Sequence, residues 1–162
     1  MENQLFILLG TNLGDRIQNL EIARNEIEIH IGKITKFSGI YETAAWGITE
    51  QPNFLNQVLQ ISTDLKPNKI LQIILKMEQK MGRIREQKWG ARLIDIDILY
   101  FGNLKLNSKK LVIPHPFLNE RRFTMAPLTE IDPNFIHPIL QKTNIELLEN
   151  CEDDSMVILI EN

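Results

Sequence analysis

The chain has 162 residues, 43% of them hydrophobic and 24% charged, with a formal net charge of -3. That length and apolar content fit one globular domain spanning residues 1–162, and the acidic balance argues against a general nucleic-acid binder. One cysteine, Cys151, allows no internal disulfide, no leader-like segment or membrane-length apolar run is visible, and a cytoplasmic monomer is the expectation.

Leu5 to Leu9 is a short apolar run stopped by Gly10, which reads as a buried strand. The turn from Gly10 to Arg16 could free backbone N–H groups for an anion, although its spacing is not that of a Walker or dinucleotide loop. Ile17, Leu20, Ala23, Ile27 and Ile31 then recur every three or four residues, an amphipathic helix closed by Gly32. A strand is expected around Thr35 to Thr43, a loop of about ten residues from Ala44 to Asn53, and a strand from Phe54 to Thr63. Pro67 suits a first helical position, and Ile70, Ile74, Met77 and Met81 form the buried stripe of a helix that ends at Gly82. By that periodicity alone, Glu78 is an ordinary exposed helix glutamate.

The chemistry concentrates in Gly82 to Phe101. Residues 83–92 carry Arg83, Arg85, Lys88 and Arg92 against the single Glu86, and Leu93 to Phe101 reads as a strand interrupted only by Asp95 and Asp97. Two residues apart on a strand, both carboxylates leave one face with Cα atoms roughly 6.5–7 Å apart. Like charges on an otherwise apolar strand are costly without a cation or donors, and oxygen-only ligation suits Mg²⁺, which fills its sphere with water and phosphate oxygens. Arginine forks beside it match phosphate geometry, so metal and arginines together suggest a polyphosphate such as ATP. A solvated D-x-D face beside a solvated basic loop is the plainer alternative.

Farther on, Gly102-Asn103 signals a turn after which Leu104 to Leu106 is expected to pair back as a hairpin. Prolines on both sides restrain His115, Asn119 to Phe123 adds a second basic pair, and Thr143 to Glu146 has the form of a capping box. Met156 to Ile160 could be a last strand. Helices alternating with strands that return mostly by hairpins imply an α+β, ferredoxin-like fold, a mainly antiparallel sheet covered by helices.

The run Lys88-Trp89-Gly90-Ala91-Arg92-Leu93-Ile94-Asp95-Ile96-Asp97-Ile98-Leu99 resembles the signature of the 6-hydroxymethyl-7,8-dihydropterin pyrophosphokinase family. Gly10 to Gly14, Phe54-Leu55-Asn56, Ile113-Pro114-His115, Arg121 and Phe123 agree with it in order and spacing, Arg122 has no counterpart, and the cover weakens after about Pro138. The resemblance implies the same fold, and transfer of pyrophosphate from MgATP, with two Mg²⁺, to the hydroxymethyl group of the pterin in folate biosynthesis. It implies metal ligation by Asp95 and Asp97, and charge neutralisation on the transferring group by Arg83 and Arg92. For the pterin it implies contacts from Thr43, Ala44, Trp46, Phe54, Asn56, Asp95 and Phe123. For ATP it implies Glu78, Arg85, Trp89, Arg92, Ile98, Lys110, Val112, His115 and Arg121. Departures from the family pattern are Ala44 and Ala91 in place of prolines, Trp46 in place of an aliphatic residue, and Val112 in place of a threonine. The rival readings are a sheet that stacks single-stranded RNA bases on Phe54, Trp89 and Phe123, and a kinase that transfers only the γ-phosphate.

Overall fold

A computed structural model of the chain describes residues 2–44, 52–82 and 93–161. Strand β1 (Asn3–Thr11) leads into helix α1 (Arg16–His30), then β2 (Lys33–Phe37), β3 (Ile40–Thr43) and β4 (Phe54–Thr63). Helix α2 (Pro67–Lys80), strand β5 (Asp95–Phe101), the two-residue strands β6 (Leu106–Asn107) and β7 (Val112–Ile113), helices α3 (Arg122–Ile131) and α4 (Asn144–Glu149), and β8 (Ile158–Glu161) complete the order. The main sheet runs β5-β1-β4-β3-β8, with β2 also on β4, and every pairing is antiparallel. Its β1-α1-β2/β3-β4-α2-β5 core is the ferredoxin-like arrangement, in which each helix crosses between strands that are not neighbours.

Alternation along β1 sorts the core into two layers. Leu5, Ile7 and Leu9 pack with Leu20, Ala23 and Ile27 of α1 and with Ile70, Ile74 and Met77 of α2. Phe6 and Leu8 pack on the other face with Met125 and Leu128 of α3 and Leu147 of α4. Burial of each such side chain is worth about 1.5–3 kcal/mol, so the sheet is fixed from both sides.

Three local expectations need correction. The strand expected over Thr35 to Thr43 is two strands, because Ser38 breaks the ladder: its hydroxyl accepts from the Val58 N–H at 2.9 Å, while the Gln57 amide donates to the Ser38 carbonyl at 2.7 Å. The segment after Gly102 does not return along β5; β6 pairs with β7 instead, because the Ser108–Leu111 turn reverses the chain there. Glu78 is buried, 2% exposed, and its carboxylate accepts the Ile96 N–H at 2.9 Å. The edge of β5 away from β1 supplies that donor, and helix periodicity carries no signal for an acceptor aimed at it.

Strand β5 also holds a β-bulge. Phe6 pairs with Tyr100 but Ile7 pairs with Ile98, so Leu99 is the extra residue. Strict alternation would put Tyr100 beside Ile96 and Ile98. The bulge instead leaves Ile96, Ile98 and Phe101 in the α1/α2 layer and Tyr100 in the α3/α4 layer.

Candidate active site

The register of three strands assembles the site. Gly10 of β1 lies opposite Asp95 on one side and Asn56 on the other, and Leu8 lies opposite Asp97. Asn56 is also opposite Tyr41, and Phe54 is opposite Thr43, the last rung of the β3–β4 ladder. Asp95, Asp97, Gly10, Asn56 and Phe54 therefore share one sheet face, beyond the point where α3 and α4 cover it.

Gly10 is required by close approach. A methyl group built there would stand 2.9 Å from Asn56 Nδ2 and 4.0 Å from Asp95 Cβ, so the small residue keeps open the space between amide, ring and carboxylate. Asn56 is 4% exposed; its amide N–H donates to the Leu9 carbonyl at 3.2 Å, which orients Oδ1 away from β1. That buried Oδ1 has no hydrogen-bond partner. An unsatisfied buried acceptor costs about 1–3 kcal/mol, a cost that a ligand N–H could recover.

The opposite wall comes from the segment after β7. The His115 N–H donates to the carbonyl of the bulge residue Leu99 at 3.0 Å, which ties this segment to β5. His115 Nδ1 accepts the Phe117 N–H at 3.1 Å, so the neutral ring carries its proton on Nε2. Burial, reinforced by the Arg121 guanidinium and opposed by Asp95, lowers the His115 pKa to about 4. The ring is therefore neutral at physiological pH. Arg121, at the start of α3, lies over two rings, 5.2 Å from the Phe117 centroid and 5.7 Å from that of Phe123.

The described site residues thus fall into groups. Thr43, Phe54, Asn56, Asp95 and Asp97 meet on the open sheet face, and His115, Arg121 and Phe123 form a neighbouring wall that reaches Asp95 electrostatically. Ala44 is exposed just past β3, Lys110 is exposed in the turn before β7, and Val112 is half-buried in β7. The Ile98 side chain belongs to the α1/α2 side of the sheet, away from the aspartates, and the Glu78 carboxylate lies at the edge of β5 on the Ile96 N–H. Trp46, Arg83, Arg85, Trp89 and Arg92 lie outside the described residues.

Sequence reasoning missed Phe117, the second ring under Arg121, and Arg16, whose guanidinium bonds the Glu42 carboxylate at 2.8 Å and the Asn53 carbonyl at 2.9 Å. Phe117 has no spacing signal. Arg16 had one, because a cation at the first position of a helix opposes the helix dipole and calls for a partner elsewhere.

Among the described residues, no group of three or more His, Cys, Asp or Glu side chains could hold a metal by itself. Two carboxylates on one face nevertheless fit Mg²⁺, whose remaining ligands are supplied by water and phosphate. No helix among the described residues is long and apolar enough to cross a membrane.

Two carboxylates and an amide oxygen without a partner on one face of a ferredoxin-like sheet, beside an arginine set over two rings, are groups suited to a charged, hydrogen-bonding ligand. The model of the 7,8-dihydro-6-hydroxymethylpterin-pyrophosphokinase family matches residues 6–133, and the chain belongs to that family. It is a pteridine pyrophosphokinase. The chain is 46% identical over 138 residues to the 2-amino-4-hydroxy-6-hydroxymethyldihydropteridine pyrophosphokinase of Aquifex aeolicus, covering 85% of this chain and 86% of the relative. To the enzyme of the same name from Bacillus subtilis it is 41% identical over 132 residues, covering 81% and 79%. A crystal structure of Plasmodium falciparum HPPK-DHPS superposes with a TM-score of 0.75 at 19% identity, over 92% of this chain. The chain spans 42% of that longer one, and the likeness carries the fold alone.

Proposed function

We propose that the open face described above is where the family's reaction, pyrophosphoryl transfer from ATP to 6-hydroxymethyl-7,8-dihydropterin in folate biosynthesis, takes place. The observation that carries this reading is the cradle over Gly10, where the Asn56 amide, the Phe54 ring and Asp95 converge and Asn56 Oδ1 is left without a hydrogen-bond partner. A flat heterocycle with N–H groups on its rim satisfies that oxygen and offers its faces to Phe54 and Phe123. Thr43, Ala44 and Trp46 complete the pterin contacts.

Asp95 and Asp97 would hold the metal, two Mg²⁺ with ATP, and the ions when bound neutralise phosphate charge and acidify a coordinated hydroxyl. Neutral His115 donates Nε2–H to the nucleotide. Arg121 supplies fixed positive charge, pre-oriented by Phe117 and Phe123, with Arg85, Lys110 and Trp89 adding contacts. Val112 and Ile98 would contribute through their backbones, the Ile98 side chain being in the core. Glu78 is the ATP contact least supported by its surroundings; its bond to Ile96 N–H, between the two aspartates, instead holds that stretch of β5 in place.

In the reaction the substrate hydroxyl oxygen forms a bond to the β-phosphorus of ATP, and the bond from that phosphorus to the α,β-bridging oxygen breaks. The hydroxyl proton is released and AMP departs with the electron pair. Arg83 and Arg92 neutralise the charge that gathers on the transferring group. The protein acts as a monomer.

The test is product analysis with MgATP and the dihydropterin, with and without EDTA. AMP that depends on both pterin and metal is expected. ADP would overturn pyrophosphoryl transfer in favour of γ-phosphoryl transfer, and binding of single-stranded RNA without nucleotide turnover would overturn the catalytic reading.

A further inference from the structure

Arg16 is the first residue of α1, where the helix dipole favours anions and disfavours a cation by a few tenths of a kcal/mol to about 1. No acidic residue in the first turn compensates, and Asp15 is occupied as the N-cap, accepting the Gln18 N–H at 3.1 Å. The Arg16 side chain instead spans to the other side of the β3–β4 ladder's open end. One guanidinium nitrogen, Nη1, donates to Glu42 at 2.8 Å, one residue before Thr43, and to the Asn53 carbonyl at 2.9 Å, one residue before Phe54. Those two contacts flank the final rung, Thr43 opposite Phe54. Both charged side chains are under a third exposed, so the pair is partly shielded from water. Asn12, fully buried in the same turn, adds a bond from Nδ2 to the Pro52 carbonyl at 3.1 Å. The turn is itself fixed from within α1, because the Asn19 amide donates to Thr11 Oγ1 and to the Leu13 carbonyl.

We infer that Arg16 is a positioning residue for the pterin end of the site, closing the last rung of the β3–β4 ladder and so setting where the Phe54 ring and the Asn56 amide stand. The inference rests on the pterin reading of the open face. A strand end frays without a neighbour on its last rung, and a stacking ring displaced by even about 1 Å can cost on the order of 10²-fold in rate. Arg16 touches no reacting atom; its effect passes through Phe54.

The experiment compares Arg16→Ala, Arg16→Lys and Glu42→Gln with the full-length parent, using 6-hydroxymethyl-7,8-dihydropterin and MgATP. Arg16→Ala is expected to raise the pterin KM about tenfold or more while the ATP KM moves less than about threefold. Arg16→Lys keeps a cation with several N–H donors and should recover much of the loss; Glu42→Gln keeps an acceptor and should lose less than Arg16→Ala. Hydrogen exchange at the amides of residues 43 and 54 should speed up in Arg16→Ala. A parent that turns over pterin normally while Arg16→Ala leaves pterin KM and exchange unchanged overturns the inference. So does a parallel loss toward both substrates that tracks a fall in Tm, which a merely structural role would give. A parent that binds no pterin fails differently: it overturns the functional reading first, and the inference with it.

Discussion

One face of the sheet holds two neighbourhoods built from the same three strands. In the lower half, Phe6, Val58 and Tyr100 lie under α3 and α4, and the rings of Phe6, Tyr100 and Phe135 meet with centroids 4.5–5.6 Å apart. In the upper half, two or four residues away on β1 and β4 and, across the bulge, three or five on β5, the same face presents Gly10, Asn56, Phe54, Asp95 and Asp97. The helices end between them. Where they cover the sheet, the Tyr100 hydroxyl is held by Asn144 Oδ1 at 2.8 Å. Beyond that cover an acceptor is left unpaired and two carboxylates share an apolar strand. The lower half holds the fold together, and on the function proposed above the upper half gives up stability to receive charge and hydrogen bonds from ligands.

The sharpest way to break this division is to neutralise an aspartate. Asp97→Asn keeps the shape and removes the charge, and we expect AMP formation to fall by at least about 10²–10³-fold. The Tm should change little, since the carboxamide keeps the shape and a hydrogen-bonding oxygen. Near-normal turnover would remove Asp97 from the site, and a large fall in Tm would show that the upper half is structural after all. Gly10→Ala comes next: its methyl group meets Asn56 Nδ2 at 2.9 Å, so the amide must swing, and the pterin KM should rise about tenfold with the ATP KM little changed. Equal effects on both substrates would erase the separate pterin cradle. Tyr100→Phe tests the lower half. Loss of the hydroxyl strands Asn144 Oδ1 inside the core, so stability should drop by about 1–3 kcal/mol, read by denaturant midpoint, while kcat stays within about twofold.

Much of this division is legible in the residues themselves. The Phe54 to Thr63 strand, the Pro67 helix start and the Thr143–Glu146 capping box follow from local rules and appear with those bounds and that box. Local rules fail where a distant partner decides. The Leu99 bulge is set by packing of Tyr100 and by the His115 N–H, and nothing in the run Ile96 to Phe101 marks which residue is extra. The Ser38 break depends on Val58 and Gln57, twenty and nineteen residues away. Buried Glu78 depends on the N–H of an edge strand. Within the site, the aspartates and Phe54 are legible from spacing and resemblance, whereas the grip of Arg16 on both sides of the last rung exists only once the ladder has formed.

Acid provides the gentlest probe, because each half contains one histidine used as a neutral acceptor, half-buried His115 and buried His137. His115 Nδ1, in the upper half, accepts from Phe117; His137 Nδ1, in the lower half and 4% exposed, accepts from the N–H groups of Ile139 and Leu140, each at 3.1 Å. Burial is the largest cause lowering both, His115 to about 4 and His137 below its ordinary 6.5. The unfolded chain takes up these protons first, so stability is level above about pH 7 and falls as pH drops below 6.5, with the His115 share exhausted near 4. His115→Asn retains an acceptor without a titration and should flatten part of the slope between roughly pH 6.5 and 4.5; the remainder belongs to His137. Saturating MgATP separates the two. Phosphate charge beside His115 favours its protonated form and should shrink the His115 part of the slope, while His137, under the helices, keeps its own. If nucleotide altered both contributions equally, or neither, the boundary between the open and covered halves would not lie between these two rings.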